Sequence, residues 1–134
     1  MKRPRKMMAG MGHYVLAADG RTPVLEEDVL QWATWFEGAG ESRRVGWTAL
    51  PGGAGHVSTI FMGLDHAFGG GRPVLFETMS NLGAGWGDDH FARYHTWAEA
   101  EAGHAAIVRE VLTQIEQTAA MVADALVPAK VPKP

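Results

Sequence analysis

Residues 57–104 decide the fold: VSTIFMGLDHAFGGGRPVLFETM runs from Val57 to Met79, a glycine-rich loop follows, and RYHTWAEAEAGH runs from Arg93 to His104. Val57–Leu64 is apolar on both faces over its second half, with Ile60, Phe61, Met62 and Leu64, as in a central strand or one covered on both sides. Residues 65–72, DHAFGGGR, make a connection long for a tight hairpin. Pro73 opens the next strand, Val74–Met79, at a position where its missing N–H is tolerated. Residues 80–93 read as a glycine-rich loop holding Trp86 and the acidic pair Asp88-Asp89.

Thr96-Trp97-Ala98-Glu99 is a capping box, the strongest local signal in the chain. The helix it starts carries His104, Val108, Val111, Ile115, Thr118, Val122 and Ala125 at alternating spacings of four and three. Unbroken to Val127, that helix would be about 48 Å long. A compact domain of this size is only about 35–40 Å across. The helix therefore either breaks, or its far end projects and pairs with another copy.

Upstream, Tyr14–Ala17 reads as a short strand closed by the turn pair Asp19-Gly20. Thr22-Pro23 looks like an N-cap followed by a first-turn proline, with Glu26, Glu27 and Asp28 favoured by the helix dipole. The helix runs to about Glu37 with Val29, Trp32, Ala33 and Phe36 on one face, and Gly38 and Gly40 end it. Its tryptophans read as core rather than as a stacking platform. Arg43–Leu50 alternates as a strand with Val45, Trp47 and Ala49 on one face, and Pro51-Gly52-Gly53 turns the chain. The order β-α-β-β-β-α predicts an α+β fold, a small antiparallel sheet with helices packed on one face and a long C-terminal helix. Residues 13–127 form a single domain between a flexible basic N-terminus, 1–12, and a disordered Pro/Lys tail, 128–134.

A chain of 134 residues can bury a core without metals or disulfides, and with no cysteine it has no thiolate zinc site and no cysteine nucleophile. Six of the twelve basic residues lie in the tails, which leaves fifteen acids against six basic residues, a net charge of −9, for the body. So acidic a body repels phosphate backbones, which argues against broad nucleic-acid binding. The apolar part of Met1–Ala18 is broken by glycines and His13, a poor signal peptide, and no run approaches the length of a membrane span. A cytoplasmic protein is expected.

The chemistry-bearing residues cluster around the 65–77 segment. Asp65-His66 combines imidazole and carboxylate, which suits metal binding or proton transfer, but no dense metal spacing is present and Asp65 also looks like a turn-capping aspartate. Gly69-Gly70-Gly71 followed by Arg72 could cradle an anion, though neither nucleotide-binding pattern is there. Glu77, on an alternating strand with Leu75 and Met79, would need Arg43, Arg72 or Arg93 if its face is covered; beside His66 it would be the best general base available. Asp88-Asp89-His90 lacks the oxygen spacing of a calcium loop and reads as solvated. Ser58 and Ser80 sit in no nucleophile pattern, and His104 reads as a packed, hydrogen-bonded core histidine. The expected ligand-binding set is Asp65, His66, Gly70, Gly71, Arg72 and Glu77, with no catalytic residue, metal or cofactor assigned.

At these same residues the chain resembles a family of small uncharacterised proteins encoded in tailed bacteriophages and prophages. The resemblance rests on VSTIFMGLDHAFGGGRPVLFETM and RYHTWAEAEAGHAAIV, and weakly on WATWFE, so it covers residues 14–111. It implies no established activity and transfers no catalytic residue. The helix past Val111 is longer than the family leads one to expect. Together these features suggest a small phage-derived accessory protein that binds a host or phage protein, a small ligand or itself through the C-terminal helix, without catalysis and without a membrane. A small metal-dependent or acid/base hydrolase using Asp65, His66 and Glu77 is the first alternative, and a virion or assembly component is the second.

Overall fold

The structure, a computed structural model, describes residues 12–127, so the expectations for the basic N-terminus and the Pro/Lys tail lie outside the described residues. The chain begins with an antiparallel hairpin of β1 (Tyr14–Leu16) and β2 (Pro23–Leu25). Asp19 builds its turn: Oδ1 accepts the Arg21 and Thr22 N–H groups, and Oδ2 accepts the Thr22 hydroxyl at 2.6 Å. Those bonds, the Thr22 hydroxyl foremost, hold the Asp19 carboxyl down at about 2.

This corrects the expected helix start. With the Thr22 hydroxyl committed to Asp19, Pro23 opens a strand, and Asp28 caps α1 (Val29–Ala39) by accepting the N–H groups of Leu30 and Gln31. A 3-10 turn, Gly40–Arg43, then leads into a four-stranded antiparallel meander. Its strands are β3 (Arg44–Ala49), β4 (Gly55–Phe61), β5 (Phe76–Leu82) and β6 (Phe91–Tyr94), in that spatial order. The chain ends its described part in α2 (Trp97–Leu126). The order is thus β-β-α-β-β-β-β-α, two strands more than expected, because β2 was read as helix and β6 as loop. The α+β architecture, with helix on one face of a small antiparallel sheet, is as expected.

Cross-strand register sorts the sheet into two faces. On the inner face Val57, Thr59 and Phe61 alternate with outward residues along β4, and Phe76, Thr78 and Ser80 do so along β5; all six are buried. A bulge between Arg44 and Gly46 inserts Val45, which packs inward against the Phe61 cluster, while Trp47 points outward. The expected shared face of Val45 and Trp47 is therefore wrong, since one extra residue breaks the two-residue period.

α2 lies along the strands over the inner face. Its Ala100 packs with Leu16, Phe61, Leu75 and Phe76 at one strand end, and Ile107, Val111 and Ile115 pack with Leu50, Ala54 and Val57 at the other. Trp35 of α1 meets Phe61 edge-on at 5.9 Å, which places α1 on the same side. The helix does not break: thirty residues give about 45 Å. Every residue from Ala119 to Leu126 is exposed, so about the last two turns project past the sheet as an arm.

Candidate functional site

The six residues expected to bind a ligand fall into two places. Asp65 Oδ1 accepts the N–H groups of Ala67 at 2.7 Å and Val74 at 3.0 Å, closing the 65–74 connection as a turn-capping aspartate does. His66 donates Nδ1–H to the Leu64 carbonyl at 2.9 Å and sets its ring edge-on to Phe68. Gly70 and Gly71 both have φ of 89°, where a side chain would strain the backbone. Arg72 is exposed and approaches the start of α2, where its charge adds to the dominant His95 N–H bond in holding the Glu99 carboxyl below its usual range. Glu77 sits apart on the outer sheet face and accepts Arg93 Nε–H at 3.0 Å, so Arg93 is the partner among the three arginines considered. Leu75 does not share that face; it precedes β5 and is buried in the inner cluster.

Under α2 the structure assembles a buried polar chain. The cross-strand row Gly46, Thr59, Thr78, Ala92 leaves a shallow trough of small residues across the inner face. His104 fills its Gly46 end, with ring carbons 3.0 Å from where a Gly46 Cβ would stand, and Gly103 is the only residue type that admits the Tyr94 phenol beside it. The Tyr94 hydroxyl donates to Thr78 Oγ1 at 3.1 Å, Thr78 and Thr59 share a hydrogen bond, and Thr59 Oγ1 lies 2.7 Å from His104 Nδ1. His104 Nε2 completes the chain on Thr48 Oγ1 at 2.8 Å.

Thr59 has one hydroxyl proton to give, either to Thr78 Oγ1 or to His104 Nδ1, and the tautomer follows: the neutral imidazole carries its proton on Nε2 and gives it to Thr48 if Thr59 donates to Nδ1, and on Nδ1, given to Thr59, if Thr59 donates to Thr78. Burial pushes the His104 pKa down. His104 is thus the packed, hydrogen-bonded histidine expected. The quoted motifs supply most of the relay, Thr59 and Thr78 from VSTIFMGLDHAFGGGRPVLFETM and Tyr94 and His104 from RYHTWAEAEAGH, and what those residues do is lock α2 to the sheet.

The outer face differs in kind. One register row crosses all four strands as Trp47, Ser58, Met79, Phe91. Trp47 is 48%, Met79 51% and Phe91 57% exposed. Trp47 stacks on His56 with centroids 5.2 Å apart, and Arg93 lies 4.9 Å over the Phe91 ring. The small Ser58 between Trp47 and Met79 leaves a depression of about 410 Å³, edged by His56, Ile60, Glu77, Asn81 and Asp89. Sequence reading missed this row because Trp47 was assigned with Val45 and Phe91 lay in a presumed loop; only register joins them.

The 83–90 loop is exposed at most positions, Asp88 and Asp89 included, yet it is tied to the body. Gln114 Nε2 donates to the Trp86 and Asp88 carbonyls, His90 Nε2 meets Gln114 Oε1 at 2.9 Å, and Asp89 Oδ1 accepts the Leu82 N–H at 2.8 Å. Among the described residues no group of three His, Asp or Glu side chains is placed to hold a metal ion, and no helix is long and apolar enough to cross a membrane. Comparison with protein families, with curated proteins and with solved structures finds no match to this chain.

Proposed function

We propose that this chain is a small phage-derived accessory protein that works by binding in the host cytoplasm, and that it associates with itself through the end of α2. One observation carries the reading: the helix continues past its own sheet as an arm in which Met121 and Leu126 are 72% and 75% exposed and Val122 is also exposed. A helix that has left its core gains nothing from apolar residues facing water, since exposed apolar surface costs about 25 cal/mol per Å² relative to burial. A second surface over the arm accounts for them. The phage assignment is supported by the paired motifs alone.

The side chains best suited to catalysis favour the same reading. Asp65 is used by two backbone N–H groups, and Glu77 is paired with Arg93 on the outer face. Light scattering during size exclusion tests the proposal with full-length protein and the double substitution Val122→Glu/Leu126→Glu, which touches only exposed positions. A dimer for the first and a monomer for the second is expected. Equal masses would remove self-association through the arm.

A further inference from the structure

We infer that His90 and Glu110 form an acid-closed latch between the 83–90 loop and α2, set by one proton on His90 Nδ1. Gln114, one turn along α2 from Glu110, prepares it. The Gln114 side chain reaches the Trp86 carbonyl at 2.9 Å and the Asp88 carbonyl at 3.2 Å. A carbonyl can only accept, so the two together fix the Gln114 amide with its NH2 group toward them and its Oε1 turned away. Glycine at 87 permits the approach, because a Cβ there would collide with the Gln114 amide.

Gln114 Oε1 is then an acceptor, so His90 Nε2, 2.9 Å away, must carry a proton. His90 Nδ1 faces the Glu110 carboxylate at 3.3 Å, and an ionised carboxylate also only accepts. A neutral imidazole has one proton, and Gln114 claims it. The bare Nδ1 lone pair then confronts a carboxylate. Only the imidazolium satisfies both acceptors, and its second proton turns a repulsive contact into a charge-assisted hydrogen bond.

The surroundings leave Glu110 as the partner of that proton. Asp89, next to His90 in sequence, has Oδ1 engaged by the Leu82 N–H and the Ser80 hydroxyl, and Asp88 is exposed. β5 meets His90 through Ser80, which bonds to the His90 N–H and carbonyl. Arg109, one residue before Glu110, has no ion pair among the described residues. Histidine is the side chain that ordinarily changes charge between about pH 5 and 8, so the latch is closed at the acid end of that window and opens as pH rises. At His104 acid has the opposite effect, because burial disfavours the charged ring. The loop supplies Ala84 and Trp86 to one wall of an open apolar cleft of about 510 Å³, and Val122 and Leu126 of the arm supply the other. Acid therefore firms that wall against α2.

Amide hydrogen exchange read by NMR on the full-length chain tests the latch, with protection factors taken at about pH 5 and pH 8. The reporters are the His90 and Ser80 N–H groups, which join the loop end to β5. Glu110→Gln is the comparison: it leaves His104 untouched, so any effect of acid on the whole fold appears equally in both proteins. Relative to that variant, wild-type protection should fall about twofold to fivefold between the two pH values, the scale of a largely exposed ion pair. At pH 8 the variant should be the better protected, because its amide can donate to the bare Nδ1. A simple loss of a contact would lower its protection instead. Parallel pH profiles in the two proteins overturn the latch, and so does weaker protection of Glu110→Gln at pH 8.

Discussion

The inner and outer faces of the β3–β6 sheet share every backbone hydrogen bond, yet they meet different surroundings. Val57, Thr59, Phe61, Phe76, Thr78 and Ser80 are sealed under α2, whereas Trp47, Met79 and Phe91 remain about half exposed one peptide away. The hydroxyls inside form a single hydrogen-bonded chain that runs through His104 to Thr48, whereas outside Trp47 stacks on His56 and Phe91 lies under Arg93. Stability is therefore concentrated on one face, and the other is free to be a contact surface. α2 repeats the contrast along its length: Ile107, Val111 and Ile115 are core, and Met121, Val122 and Leu126 are surface.

The largest test of this contrast is Phe76→Ala, which removes a fully buried ring from the inner face. It should cost about 3–5 kcal/mol of folding stability by urea denaturation. A loss below about 1 kcal/mol would mean that the inner cluster is not the core. Next comes Thr59→Val, which removes the hydroxyl that both His104 Nδ1 and Thr78 Oγ1 meet. About 1–3 kcal/mol should be lost, with Thr59→Ser restoring most of it. If serine fails to rescue, the hydroxyl chain is not what holds α2.

A pH titration sharpens the same point. Burial lowers the His104 pKa, so below about 6.5 the unfolded chain binds a proton that the folded chain refuses. This contribution is complete above that pH, and stability should fall as the solution is acidified through it. His104→Gln should flatten that part of the profile in urea melts taken between pH 7.5 and 5, a window set by the reference value. An unchanged slope would transfer the effect to another histidine. The smallest effect is expected on the outer face: Met79→Lys, at a half-exposed position, should shift stability in urea melts by no more than about 0.5 kcal/mol. Destabilisation as large as that of Thr59→Val would erase the distinction between the faces.

Local chemistry made part of the fold legible. The capping box Thr96–Glu99 is formed as written, with Glu99 Oε1 accepting the Thr96 N–H and Thr96 Oγ1 accepting the Glu99 N–H. Asp65 caps its loop, and β4 and β5 lie near their expected places because apolar runs bounded by glycine leave few alternatives. The start of α1 was harder, since Thr22 and Asp28 are both cap residues and the choice turned on Asp19, which claims the Thr22 hydroxyl across the hairpin turn. β6 has only four residues, FARY, and is a strand because β5 offers it a partner.

By itself the sequence determined the class of the fold, its acidic body, the capped start of α2 and the packed, hydrogen-bonded place of His104, while leaving open whether α2 breaks or overshoots. These follow from periodicity, capping and charge, which act over a few residues and are written in order along the chain. Tertiary structure alone decided that Trp47 turns outward, that Tyr94, Thr78, Thr59 and His104 share one hydrogen-bonded chain, and that Trp47, Met79 and Phe91 stand in one row. Each depends on register between strands far apart in sequence, and a one-residue bulge at Val45 reverses a face without altering composition. The sheet's outer surface exists only once four strands are aligned.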